Sequence, residues 1–288
     1  MFKLICDVCA DIPVSVSEER NIILMPMSLT VNGDERVYKA QEFDAKAFYD
    51  GMRQGNVCST SQVPAEVFKE FFRPILSNGD DILFICLSSG LSGSYNNSLL
   101  ALDELKEEFP QRKMFSIDSL GASMGEGLLA LRVAKLRDEG KSIEECVQWA
   151  EENKHNVMHW FTVDDLQYLR RGGRVSATSA AVGTLLDIKP VLQCNEDGKL
   201  VAYAKVKGRK RAIKALLSYI EEFGVDIDGQ EICISHGDCE SEALVLRDMI
   251  AEKYPSCTFV MGNIGAVVGS HAGPGTIALF FMGVKRFK

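Results

Sequence analysis

The sequence predicts an α/β fold in two parts. A parallel sheet flanked by helices is expected in the first half, and a mixed sheet covered by helices on one face in the second. Short apolar, β-rich runs alternate with stretches whose apolar residues recur at helical spacing. In the first half, strands and helical stretches of 10–15 residues take turns, as in βαβ units. In the second half there are fewer helices per strand. A length of 288 residues suits one large or two modest domains,. The boundary is expected near residue 157, after the polar stretch Glu151-Glu152-Asn153-Lys154-His155, giving parts 1–157 and 158–288.

The elements follow in order. Phe2–Cys6 reads as the first strand. Val67, Phe68, Phe71, Phe72 and Ile75 share one helical face. Ile82–Leu87 is a buried strand, followed by a Gly/Ser loop and a helix from about Tyr95. Met114–Ile117 is a third strand. Ile143, Cys146, Val147 and Ala150 form another helical face, opened by the capping box of Ser142 and Glu145,. In the second part His159–Val163, Leu200–Val206, Glu231–Ser235, Thr258–Met261 and Ile277–Met282 read as strands. Ile213, Leu216, Leu217 and Ile220 mark one helix there, and Leu246, Met249 and Ile250 a second.

Composition excludes several classes. With 46% hydrophobic and 25% charged residues, the chain is neither disordered nor low-complexity,. A net charge of −8 disfavours non-specific nucleic-acid binding, which needs a basic footprint,. The longest apolar runs, Ile82–Leu87 and Ile277–Val284, are far shorter than the ~20 residues of a membrane-spanning helix,. Asp7 follows Met1 too closely for a signal peptide, so a cytoplasmic location is expected,. The nine cysteines are expected to be reduced,.

Five segments could carry chemistry. Ser88-Ser89-Gly90-Leu91-Ser92-Gly93-Ser94 lies between a strand and a helix N-terminus, where free N–H groups, hydroxyls and the dipole favour an anion; a tight capped turn is the plainer reading,. Ser59-Thr60-Ser61-Gln62 precedes Pro64 and so also sits at a helix start, with simple capping as the alternative,. Arg170, Arg171 and Arg174 flank Gly172-Gly173, suiting carboxylate or phosphate recognition or a solvated surface,. Six of the ten residues from Lys205 to Lys214 are cationic, including Lys207, Arg209 and Lys210. Cations at a helix start oppose the dipole, so this cluster suggests an acidic or phosphate-bearing partner. Gly269 to Thr276 reads as a Gly-rich loop in which His271 can face a ligand,.

Other motifs fall short. Gly90-Leu91-Ser92-Gly93-Ser94 lacks the last Gly of a nucleophile elbow,. Lys135 stands where a P-loop ending at Gly140-Lys141-Ser142 needs its first Gly,. Gly125-Glu126-Gly127 forms no dinucleotide fingerprint. Cys6 and Cys9 have metal-ligand spacing but no second Cys pair nearby,.

Taken together and in order, these segments resemble the DegV family. Cys6-Asp7-Val8-Cys9-Ala10-Asp11-Ile12-Pro13 is similar to that family's opening motif, with Cys6 and Cys9 in place of its usual Ser/Thr and small residues. Thr60-Ser61-Gln62, Ser88 through Tyr95, Asp118-Ser119 with Ser123-Met124-Gly125, Val163 through Arg174, Ile188-Lys189-Pro190, Lys205 through Lys210 and His271 through Gly275 all match in turn; Val63 stands where Pro often follows Thr-Ser-Gln.

The resemblance implies an N-terminal Rossmann-like domain, a C-terminal two-layer domain, and a tunnel between them for a long-chain fatty acid. It implies that Thr60 and Ser92 bind the carboxylate, with Ser61, Gly93, Arg170 and His271 near the head group. The protein would be a non-enzymatic carrier without cofactor. It would serve an ATP-dependent fatty acid kinase subunit that makes acyl phosphate, with a downstream acyltransferase in phospholipid synthesis. Arg171, Arg174, Lys207, Arg209 and Lys210 would dock the kinase. Burial of ~14 methylenes contributes about 11 kcal/mol before ordering costs. Two hydroxyls and helix N-terminal amides are expected to satisfy the carboxylate without a fixed cation. The alternatives are a serine hydrolase using Ser92 and His271, and a phosphate- or nucleotide-binding protein.

Overall fold

The computed structural model describes residues 2–175 and 187–287. Strands β1 (Lys3–Asp7), β2 (Ile22–Met25), β6 (Ile82–Cys86) and β7 (Met114–Asp118) form an all-parallel sheet in the order β2-β1-β6-β7. Its central strands are apolar at nearly every position because both faces are covered,. On one face lie α3 (Ala65–Ser77) and α4 (Ser94–Glu108). Phe68 and Phe72 of α3 meet Phe84 of β6 edge-on, at centroid distances of 5.4 Å each. On the other face α5 (Met124–Asp138) and α6 (Ile143–Asn153) pack together. The capping box of α6 is formed as expected: Glu145 N donates to Ser142 Oγ at 3.2 Å, and Ser142 N to Glu145 Oε2 at 2.8 Å.

A small antiparallel sheet that the sequence did not signal branches from this layer. It runs in the order β4-β3-β5, from β3 (Met27–Val31), β4 (Asp34–Tyr38) and β5 (Cys58–Thr60). The helices α1 (Val14–Glu19) and α2 (Ala45–Arg53) complete this half.

All six strands of the third sheet come from Val157 onward: β8 (Val157–Thr162), β9 (Ile188–Cys194), β10 (Leu200–Lys207), β11 (Glu231–His236), β12 (Thr258–Asn263) and β13 (Ile277–Met282). Their order is β10-β9-β8-β13-β11-β12, with β11 and β12 parallel and the other pairs antiparallel. The mixed sheet is therefore as expected. Helices α8 (Arg209–Phe223) and α9 (Glu240–Lys253) cover one face, burying Trp160, Leu216, Leu246 and Phe281.

The opposite face is covered too. Helix α5 contacts β1 and β6 of the parallel sheet and also β8, β11 and β13 of the mixed sheet. It is buried nearly all round, and it joins both layers into one core through Leu128, Leu129, Leu131 and Val133. The chain between β7 and α5 turns sharply: Ser123 has φ 54°, outside the range most L-residues adopt,. Its Oγ donates to Asp11 Oδ2 at 2.6 Å and lies 2.8 Å from Ser235 Oγ on β11.

The segment before β13 differs from the expected loop. Ala266–Ala272 is a helix, α10, ended by Gly273 at φ 81°. A short α7 (Gln167–Arg171) packs against it.

Candidate functional site

Two loops of the first half are built to meet. Thr60 ends β5, which is held in register against Leu29 of β3. Ser92 lies in the turn before α4. The loops are tied by Val63 N donating to Ser94 Oγ at 3.0 Å, and by Asn97 Nδ2 donating to Val63 O at 2.8 Å. A Cβ at Gly93 would stand 1.8 Å from Gln62 Oε1, so the absent side chain leaves room for the glutamine to lie against this turn,. Gln62 and Gly93 are thus partners in one junction. Asp7 supports the same edge of the sheet, accepting from Cys9 N and Leu87 N at 2.9 Å each.

The third contribution comes from the second half. His271, on the last turn of α10, places Nε2 2.7 Å from Thr60 Oγ1. Its Nδ1 is buried without a partner among the described residues. Burial, with the nearby Arg174 charge, pushes the imidazole down to about 4, so it is neutral at physiological pH,. A Cβ at Gly172 would lie 2.0 Å from His271 Nδ1, and one at Gly275 would lie 2.2 Å from Asp164 Oδ2. Gly172 thus leaves room for the histidine at the end of α7, and Gly275 lets the loop after α10 approach Asp164.

A narrow cavity opens behind these groups, with about 830 Å³ of non-atom space, part of it open to solvent. Thr60, Ser61, Ser92, Arg174 and His271 mark its polar end. Met27, Leu87, Phe161, Val267 and Phe280 supply apolar wall from both halves of the chain. Cys9 also lines it; this thiol and that of Cys6 are pushed up by burial, and all nine cysteines are free. No group of residues suited to hold a metal ion occurs among the described residues.

The geometry sorts the remaining candidates. Ser92 Oγ accepts from Ser94 N at 3.2 Å and lies 3.0 Å from Ser94 Oγ, so it caps its own turn while facing the cavity. His271 engages Thr60, not Ser92, which leaves a Ser–His nucleophilic pair unassembled,. Gly93 acts through the backbone. Arg170 is exposed on α7 and does not line the cavity, whereas Arg174 does. Arg174 is a correction to the expectation that no fixed cation stands at the polar end. Its Nε donates to Leu91 O at 3.1 Å and its Nη1 to Gly172 O, which aims the guanidinium along the seam between the loops.

Among the basic residues, Arg171, Lys207 and Lys210 are exposed, Arg171 lying over the Tyr168 ring at 4.7 Å. Arg209 is not a free cation. Its Nη2 lies 2.9 Å from Glu242, and its Nη1 3.6 Å from Asp164, which offsets its unfavourable place in the first turn of α8,. Sequence reasoning missed the position of Arg174 in the cavity wall and the presence of His159 there. A chain-wide pairing of β8 with β13 is what brings His159 in, and no local signal marks that.

Comparison with known proteins gives a consistent result. Residues 1–283 match the family described as "Uncharacterised protein, DegV family". A DegV domain-containing protein of Clostridium perfringens is 42% identical over 283 residues, covering 98% of this chain and 97% of that protein. Among solved structures, a DegV lipid-binding protein from Thermotoga maritima superposes with a TM-score of 0.86 at 29% identity, covering 99% of this chain and all of the other. A DegV family protein from Thermus thermophilus, described as binding fatty acid, has a TM-score of 0.86 at 27% identity, covering 98% and 99% of the two chains.

Proposed function

This chain belongs to the DegV family, and on that premise we propose that it binds one long-chain fatty acid and presents the carboxylate to a partner kinase. The observation that carries the reading is a cavity with apolar walls whose polar end combines Thr60, Ser92, His271 and Arg174. An acyl chain is the ligand class with that asymmetry: a long apolar body and one anionic end. Burying the tail supplies the favourable term, and burying the carboxylate demands donors.

The proton bookkeeping is consistent. With its single proton on Nε2, neutral His271 donates to Thr60 Oγ1, freeing the threonine hydroxyl to donate to the carboxylate. Ser92 Oγ–H is a second donor, and Arg174 adds charge. The cavity is bounded by residues from both sides of position 157, so we take 1–157 and 158–288 as the two domains with the ligand between them. Kinase presentation draws on the family resemblance and on the exposed cations Arg171, Lys207 and Lys210. ATP chemistry belongs to the kinase in this reading, which gives the protein itself no cofactor. A downstream acyltransferase would consume the acyl phosphate, and the whole exchange would be cytoplasmic.

The test is lipid extraction from protein purified from its host, with native mass spectrometry before and after. A stoichiometric fatty acid is expected. A protein that carries none, and does not bind added octadecanoic or octadecenoic acid, rules the proposal out.

A further inference from the structure

One polar side chain stands far down the apolar part of the cavity with nothing to bond. His159 of β8 lines the cavity and is only 4% exposed. Its Nε2 is buried without a hydrogen-bond partner among the described residues. The ring is held by shape: it packs edge-on against Phe280 at 5.3 Å, and a Cβ at Gly125 would stand 1.9 Å from its Cε1. Two glycines, Gly121 in the loop before α5 and Gly125 in its first turn, make room for it. Other polar groups on the inner wall are already used. Ser123 Oγ serves Asp11 and Ser235, and Thr276 Oγ1 donates to Ala272 O at 2.9 Å.

The register fixes how deep His159 lies. It is paired with Phe280, and Phe161 with Ala278. Thr276, Ala278 and Phe280 all line the cavity. They therefore run along it on one face, from the turn beside His271 inward. Four residues at ~3.4 Å each put His159 roughly 14 Å along the strand from Thr276, whose Oγ1 bonds Ala272 O beside His271,. An extended chain with ~1.5 Å C–C bonds reaches that far in about ten or eleven carbons.

We propose that this cavity selects fatty acids carrying a hydrogen-bonding oxygen near mid-chain, a hydroxyl or a ketone at about carbons 9–12, through His159. The inference rests on the fatty-acid reading above and names the substrate class within it. Folding has already stripped the imidazole of water, so a ligand oxygen at that depth has only its own hydration to lose. A neutral imidazole offers one donor and one acceptor and so suits either group. A site with an unpaired buried polar group discriminates against the analogue that cannot pair with it. Burial and the nearby Arg286 charge hold His159 in this neutral form, well below its ordinary pKa.

The test is competitive displacement of a fluorescent fatty acid by octadecanoic, 3-hydroxyoctadecanoic, 10-hydroxyoctadecanoic and 10-oxooctadecanoic acids. The 10-substituted acids are expected to bind about tenfold tighter than octadecanoic acid, and the 3-hydroxy acid no tighter. The two 10-substituted acids separate alcohol from ketone. His159→Phe keeps the ring contact and should erase the preference while still binding octadecanoic acid; His159→Gln should retain part of it. Equal or weaker binding of the 10-substituted acids by the unaltered protein overturns the inference without any variant, as does a preference that survives His159→Phe. If none of the four acids binds, the fatty-acid reading falls and takes this inference with it.

Discussion

Thr60 Oγ1 and His271 Nε2 lie 2.7 Å apart across 211 residues of sequence. The contact joins the small three-stranded sheet to the last turn of α10. It polarises a threonine hydroxyl that would otherwise be an ordinary surface group, and it sets up the first prediction.

Thr60→Ala and Ser92→Ala should each weaken fatty-acid binding roughly 10- to 100-fold, as for loss of a hydrogen bond to a charged group worth ~1.5–3 kcal/mol. Acyl-phosphate formation in a reconstituted kinase assay should fall in parallel. Unchanged binding in both variants refutes the carboxylate assignment.

Gly172→Ala should displace His271, since the new methyl and Nδ1 cannot share 2.0 Å. The expected result is about tenfold weaker ligand binding with a melting temperature little changed, because the far end of a side chain moves more cheaply than backbone. A large loss of stability with intact binding would contradict it.

Asp11 should make stability fall with rising pH. It accepts from Gly265 N at 2.8 Å and from Ser123 Oγ, yet burial dominates and pushes its carboxyl up to about 8. The folded chain thus holds this proton more tightly than the unfolded chain. The contribution is complete below pH ~4 and is lost as pH rises toward about 8,. Asp11→Asn removes the ionisation, so its melting temperature should decline less between pH 5 and 9 than that of the parent. Parallel declines would exclude Asp11 as the source.

Arg171→Glu and Lys210→Glu should reduce kinase coupling and leave lipid binding intact, since both side chains are exposed. Arg209→Glu should instead lower stability, because it places a carboxylate against Glu242 and Asp164. Calorimetry beside a coupled kinase assay separates the two outcomes.

Much of the architecture was legible because its signals are local. The apolar strand Ile82–Cys86, the Phe68/Phe72 helical face and the Ser142–Glu145 box each announce themselves within a few residues. Helix α5 did not. Enclosed by two layers, it has apolar and small residues all round and no period to detect,. Strands β3 to β5 are short and half exposed, and their pairing is long-range. The loops of the site were recognisable as a set, but which arginine turns inward was not. Arg170 and Arg174 differ only in where a helical turn and two glycines point them.

The enclosure of α5 also bears on how the proposed ligand would enter and leave. A wide hinge between the halves would have to pull the mixed sheet off this helix, wetting Leu128, Leu129, Leu131 and Val133 along with the sheet surfaces they seal. At ~25 cal/mol per Å² of apolar surface, such an opening costs free energy in proportion to the area exposed. If the chain carries a fatty acid as proposed, exchange is expected at the rim, where α7 and α10 meet the Leu91 turn, with the wedge behind it in place.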